Sequence, residues 1–266
     1  MNDREKVLWL FDLGNTSLKG RWSRDGEPGQ ALGIDWDTLE PDDLLREMLD
    51  AWPEPGCVLV ASVASDQRAR LLRRALQRWP RVSTEWLSSP RQACGITNGY
   101  RIPERLGIDR FLAMIGARAA SGGAPCVVVG CGTALTLDAV DAQGRQREGL
   151  IAPSPDLMVR SLHGGTAIGE TNPDAFESDL ESGIDDTRKA IRAGCWRAAT
   201  ALVDAFHAGY RAEFDAPALW LHGGGAASLK AALDQYGSAP ARLLDDAVWR
   251  GLEVWAASQP GAGARP

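Results

Sequence analysis

The chain has 266 residues, of which 44% are hydrophobic and 24% charged, and a formal net charge of -6. That is the balance of a globular protein, long enough to bury a core without disulfide or metal staples, and it excludes collagen-like, coiled-coil and wholly disordered chains. The acidity argues against general nucleic-acid binding, because neutralising phosphates takes a surplus of Lys and Arg.

The first predicted element is the apolar run Val7 to Phe11, which ends at Asp12. It is too short for a signal-peptide core. No stretch of 18 apolar residues occurs anywhere, so no membrane span is expected and the chain reads as cytoplasmic. The run belongs to a strand–glycine–strand pattern, WLFDLGNTSLKGRWSRDGEP from Trp9. Next come a short buried strand, Cys57 to Val63, and an amphipathic helix, Gln67 to Trp79, with Leu71, Leu72, Ala75, Leu76 and Trp79 on one face. The arginines of that helix read as a solvated face. An apolar helix from Phe111 to Ala120 follows, and Ala120 to Pro125 (ASGGAP) is a composition break. A second strand–glycine–strand, CVVVGCGTALTLDAVDAQGR, starts at Cys126. The last elements are a long helix from Thr187 to His207, a strand Leu219 to His222, the turn Gly223-Gly224-Gly225 and a helix from Ala226 to Tyr236. The five cysteines are odd in number and form no Cys-x-x-Cys pair. Neither a disulfide framework nor a structural zinc site is expected from them. The histidines His163, His207 and His222 have no metal-ligand spacing.

The two strand–glycine–strand segments match each other. At a constant offset of 118 residues Gly14 falls on Gly132, Asn15 on Thr133, Thr16 on Ala134 and, without a gap, Gly26 on Gly144. Each half then continues into helices and strands of similar length. Two similar α/β domains are therefore expected, residues 1–118 and 119–266. A glycine turn between strands lets an anion approach the backbone N–H groups closely, so two such turns on facing domains suit a polyphosphate. The third glycine turn, Gly223-Gly224-Gly225, opens a helix, whose N-terminus favours negative charge. Asp12, at the end of an apolar strand, is costly unless paired or solvated; beside a polyphosphate it has a reason, holding Mg2+ through water. Lys19, on the returning strand, bears on the phosphates or lies on the surface.

These residues resemble a known family. Asp12-Leu-Gly-Asn-Thr-Ser-Leu-Lys19 looks like the Asp-x-Gly-Asn-Thr-x-x-Lys motif of the type III pantothenate kinases, some of which are called Bvg accessory factors. Tyr100-Arg-Ile-Pro-Glu-Arg-Leu-Gly-Ile-Asp-Arg110 resembles their Tyr-x-x-Pro…Leu-Gly-x-Asp-Arg signature. Gly132-Thr133-Ala134, Met158 with Ser161-Leu162, Thr166-Ala167, Asp186-Thr187 and His222-Gly-Gly-Gly-Ala226 follow in the family's order. The resemblance implies an α/β fold of two duplicated ribonuclease H-like domains of the actin-like/sugar-kinase-like superfamily. It implies transfer of phosphate from ATP to pantothenate, giving 4'-phosphopantothenate, the first step of coenzyme A synthesis, and a homodimer. It assigns Asp12, Leu13, Gly14, Asn15, Thr16, Ser17, Leu18, Lys19, Gly132, Thr133, Gly223 and Gly224 to ATP. Tyr100, Gly107, Ile108, Asp109, Arg110 and Thr187 go to pantothenate. Asp109 is the general base for the pantothenate hydroxyl; its position also fits a helix N-cap. Arg110 binds phosphate or stabilises transition-state charge.

The chain departs from the family in places. The second phosphate motif normally opens with an aspartate that holds an activating monovalent cation, K+ or NH4+; here Gly130 stands there. Cys131 is adjacent, but a thiol is a poor ligand for a hard cation. Glu148-Gly149 and Pro153-Ser154 replace Gly-Gly and Pro-Gly, and Leu-Pro is missing after Thr166-Ala167. Two readings follow: a working kinase with altered cation dependence, or a catalytically weakened paralogue acting as a ligand-binding accessory protein. Survival of Asp12, Asn15, Thr16, Lys19, Asp109 and Arg110 favours the kinase.

Overall fold

A computed structural model describes residues 7–36, 41–165 and 184–258. Its elements run β1 (Val7–Leu13), β2 (Ser17–Arg24), β3 (Glu27–Asp35), α1 (Pro41–Asp50), β4 (Cys57–Ser62), α2 (Asp66–Leu76) and β5 (Ser83–Leu87). After the two-residue strands β6 (Gln92–Ala93) and β7 (Ile96–Thr97) come α3 (Ile108–Ala120), β8 (Cys126–Cys131), β9 (Ala134–Val140), β10 (Gln146–Pro153) and α4 (Pro155–Gly165). The last are α5 (Thr187–Arg211), β11 (Ala218–His222), α6 (Ala226–Tyr236), β12 (Ala241–Leu243) and α7 (Ala247–Ser258).

Two five-stranded sheets repeat one plan. The first has the order β3-β2-β1-β4-β5 and the second β10-β9-β8-β11-β12. In each, three antiparallel strands are followed by two parallel ones. The register refines the ungapped sequence match. Leu13 pairs with Leu18 across the first turn, but Cys131 pairs with Leu135 across the second. The second turn is thus one residue shorter, so Leu18 corresponds to Leu135 and Thr16 to Thr133. The offset returns to 118 by Gly26 and Gly144, whose φ angles of +86° and +78° both lie where glycine is favoured.

The described residues form two compact units, one within Met1–Cys94, Tyr100–Gly116 and Val248–Pro266, the other within Gly95–Gly99 and Ala117–Ala247. The sequence-based division at 118/119 placed the C-terminal helix in the second half; α7 packs into the first unit instead. Gly251 lies against the Leu112 backbone carbonyl, where a Cβ would not fit, and the Trp255 ring meets Phe111 edge-on at 6.2 Å. Arg21 of β2 stacks 4.7 Å from the Trp249 ring centre.

In the first unit Trp9, Phe11, Leu13 and Val60 are buried with Trp52 and Leu72. Trp9 meets Trp52 at 5.2 Å and Trp79 at 4.8 Å, both edge-on, and its indole N–H is satisfied by the Pro53 carbonyl at 3.0 Å. Truncating such a ring to alanine costs about 3–5 kcal/mol. In the second unit every residue of β8 is buried, as befits a central strand with an unbroken apolar sequence. Val127, Val129, Leu135 and Leu137 pack with Trp196, Val203 and Phe206 of α5.

Candidate active site

The first unit brings its predicted residues together at the carboxyl ends of β1 and β4. β1 is apolar until Asp12, which pairs directly with Lys19 of β2. The strand ends at the turn Gly14-Asn15-Thr16, closed by the Gly14 N–H donating to the Ser17 carbonyl at 2.9 Å. Asn15 and Thr16 are exposed; Leu13 and Leu18, flanking the turn, are fully buried anchors. Trp36 donates its backbone N–H to the Thr16 carbonyl and its indole N–H to the Gly14 carbonyl, each at 3.0 Å.

Asp109 reaches the same place from α3. A Cβ at Gly107 would stand 3.6 Å from Val63 Cγ1, just beyond β4. It would also stand 2.5 Å from Asp109 Oδ1, so the carboxylate folds back over a position that only glycine leaves open. The expected helix Phe111 to Ala120 starts earlier, at Ile108. Its first hydrogen bond runs from the Phe111 N–H to the Gly107 carbonyl at 3.1 Å. Asp109 is therefore inside the first turn and not the N-cap; its Oδ1 accepts the N–H of Arg110 at 2.8 Å.

Both carboxyls are pushed toward the protonated form. Asp12 is pushed up to about 6, first by burial and then by the Asp109 charge, with Lys19 opposing. Burial also raises Asp109, against the Arg110 N–H and guanidinium. Two mutually repelling carboxylates beside a backbone turn suit a divalent cation, which keeps most of its water and needs one or two protein carboxylates plus phosphate oxygens. Among the described residues no group of three or more His, Cys, Asp or Glu is placed to hold a metal ion unaided.

Arg110 is only 6% exposed. It donates to the Tyr100 hydroxyl at 3.0 Å and lies 5.8 Å from that ring's centre. Arg91, which sequence reasoning missed, clamps the Tyr100 segment by donating to the carbonyls of Tyr100 at 2.7 Å and Arg101 at 2.9 Å.

The second unit holds the remaining glycine turns side by side. The Gly132 N–H donates to the Ala134 carbonyl at 3.0 Å, closing the β8–β9 turn, and Gly132 and Thr133 are exposed. A Cβ at Gly132 would meet nothing within 4 Å. The turn after β11 packs on the end of β8. The Gly225 N–H donates to the Cys131 carbonyl at 2.9 Å, and a Cβ at Gly223 would stand 2.5 Å from that oxygen. Gly223 has a φ of +95°, and Gly224 is exposed. Gly130 pairs with Thr136 and His222. A Cβ there would lie 2.7 Å from Thr136 Oγ1 and 3.0 Å from His222 Nε2. A neutral hydroxyl and an imidazole fill the place, and burial pushes the Cys131 thiol up to about 12. These residues do not fit a monovalent cation held by a carboxylate. Thr187 is the exposed first residue of α5, behind the N-cap Asp186, whose carboxylate accepts the Lys189 N–H at 2.9 Å. Thr166-Ala167 lie outside the described residues.

The family model for Type III pantothenate kinase matches residues 8–208. A Type III pantothenate kinase from Paraburkholderia phymatum is 35% identical, over 97% of this chain and 93% of that protein. One from Laribacter hongkongensis is 34% identical over 92% and 97%. Among solved structures, a protein from Campylobacter jejuni described as a Baf family transcriptional activator matches with a TM-score of 0.57 at 16% identity, covering 92% of this chain and 95% of that one. Component A of the (R)-2-hydroxyglutaryl-CoA dehydratase from Acidaminococcus fermentans matches at 0.53 and 14%, covering 94% and 96%. These structural likenesses show the α/β fold. By its sequence match across most of its length, this chain belongs to the type III pantothenate kinase family.

Proposed function

We propose that this chain transfers the terminal phosphoryl group of ATP to the primary hydroxyl of pantothenate, forming 4'-phosphopantothenate and ADP. The observation that carries the reading is the convergence, within one unit, of Asp12, Asp109 and the Arg110–Tyr100 pair beside the Gly14 turn. Phosphoryl transfer depends on positioning and charge stabilisation. Asp109, when ionised, accepts the hydroxyl proton as the oxygen attacks, and Gly107 leaves room for its carboxylate. Arg110 stabilises charge on the transferring group, and Tyr100 orients it while contacting pantothenate, as Thr187 also does. Asp12 would hold Mg2+, which supplies charge neutralisation on the phosphates when bound. The turns at Gly14–Thr16 and Gly132–Thr133, with Gly223-Gly224, take ATP. Lys19 offsets the charge of Asp12.

The cytoplasm is the assigned compartment. In support, all five cysteines are free, as in a reducing environment, and no described helix is long and apolar enough to cross a membrane. The homodimer rests on the family resemblance, and light scattering of the purified protein tests it. The deciding assay incubates the protein with Mg-ATP and pantothenate in K+, NH4+ or Na+ buffers and measures phosphopantothenate. Product in all three at similar rates is expected, because Gly130 offers no carboxylate. No product in any buffer, with ligand binding intact, overturns the reading in favour of an accessory protein.

A further inference from the structure

Both phosphate turns are braced by the residue that follows the outer strand of their own sheet. Trp36, just after β3, binds the carbonyls of Gly14 and Thr16. Ser154, just after β10, donates its hydroxyl to the Thr133 carbonyl at 3.1 Å, and its Oγ accepts the Leu157 N–H at 3.2 Å in the first turn of α4. Positions 36 and 154 are separated by the same 118 residues as Gly14 and Gly132. Thr16 and Thr133 correspond in the pairing register. The two sheets thus fix the same turn carbonyl from the same position by unrelated groups, the Trp36 backbone N–H in one and the Ser154 hydroxyl in the other, and the Trp36 indole adds a second bond, to the Gly14 carbonyl. The Arg68 guanidinium, 5.6 Å from the Trp36 ring centre, holds the indole from its face.

In a planar trans peptide, a carbonyl and the N–H of the next residue point in opposite directions. Tying the carbonyls of Gly14 and Thr16 to Trp36 turns the N–H groups of Asn15 and Ser17 away from it. Ser154 does the same for the N–H of Ala134. N–H groups turned to one side of a turn offer an anion its hydrogen bonds. We infer that Trp36 and Ser154 are positioning residues for the nucleotide: each orients the backbone donors of the turn it braces toward phosphate. The inference rests on the assignment of ATP to these turns made above.

The test uses Trp36→Phe, which removes only the indole donor, Ser154→Ala, and Ser154→Thr, which keeps the hydroxyl. Dissociation constants of Mg-ATP and AMP are measured by calorimetry, with KM for each substrate and kcat. Trp36→Phe and Ser154→Ala are each expected to weaken Mg-ATP about 3- to 10-fold, the worth of one hydrogen bond. AMP affinity and the KM for pantothenate should stay within about twofold, and Ser154→Thr should behave as wild type. Ser154→Ala also removes the cap of α4, so its thermal midpoint is recorded; Trp36→Phe leaves that cap intact and decides the matter alone if the alanine variant fails to fold. Unchanged ATP affinity in Trp36→Phe, or equal losses for ATP and AMP, overturns the bracing role while leaving the phosphate assignment standing. A wild-type protein that binds AMP as tightly as Mg-ATP overturns both.

Discussion

Asp12 and Gly130 occupy the same place in the two sheets, one residue before the end of the central strand, 118 residues apart. At the first, a half-buried carboxylate faces Lys19 and is repelled by Asp109. At the second, no side chain is present, and Thr136 and His222 close over the gap. The difference teaches that duplication kept the backbone turn in both units while the electrostatic work stayed in one. Removing a group from the first site should change chemistry; adding one to the second should change packing.

The largest effect should follow from Asp109. Asp109→Asn is expected to lower kcat about 10²- to 10⁴-fold, the usual worth of general-base help, with an unchanged far-ultraviolet circular dichroism spectrum. Gly107→Ala tests the same carboxylate without altering it: the new methyl displaces Oδ1, and kcat should fall about 10- to 100-fold, since misplacement of order 1 Å carries that cost. A wild-type kcat in either variant would detach Asp109 from catalysis.

The second site should respond differently. Gly130→Ala overpacks Thr136 and His222 and should cost about 1–3 kcal/mol in urea unfolding. Gly132→Ala, two residues on, meets open space. It should change stability by less than about 0.5 kcal/mol while weakening Mg-ATP. Equal destabilisation by the two would erase the distinction between packed and ligand-facing glycine.

How far the sequence reveals this site depends on the kind of signal. The glycine turns, Asp12 and the Asp109–Arg110 pair are local motifs, and local motifs are legible. The bracing by Trp36 and Ser154 is not, because it depends on which residue of an outer strand stands beside a turn, and only strand register shows that. The ungapped match of the two halves hid a shorter second turn for the same reason. α7 falls in the second half by position alone, since nothing in its own residues names the surface it covers. By its local sequence alone Asp109 fits a base and a cap equally; the start of α3 at Ile108 excludes the cap.

The smallest expected effect concerns Asp12 and pH. Its folded pKa of about 6 lies above the unfolded value near 3.9. Above about pH 7 both states are ionised and the fold carries the full cost of the buried charge; below about pH 3 both are protonated and the cost vanishes. Asp12→Asn should therefore raise the thermal midpoint by a few degrees at pH 8 and leave it unchanged at pH 3. The sign reverses if Asp12 is a net stabilising ion pair with Lys19.

The docking of α7 against α3 has a consequence for biogenesis. The second unit is contiguous from Ala117 to Ala247, apart from the short segment at Gly95–Gly99. The first is interrupted by it and lacks its covering helix until everything between has been translated. A ribosome-bound nascent chain thus exposes the Phe111 and Leu112 face throughout synthesis of the second unit. Chaperone engagement should concentrate there, and stop codons shortly before Val248 should yield aggregates in place of an active half-enzyme.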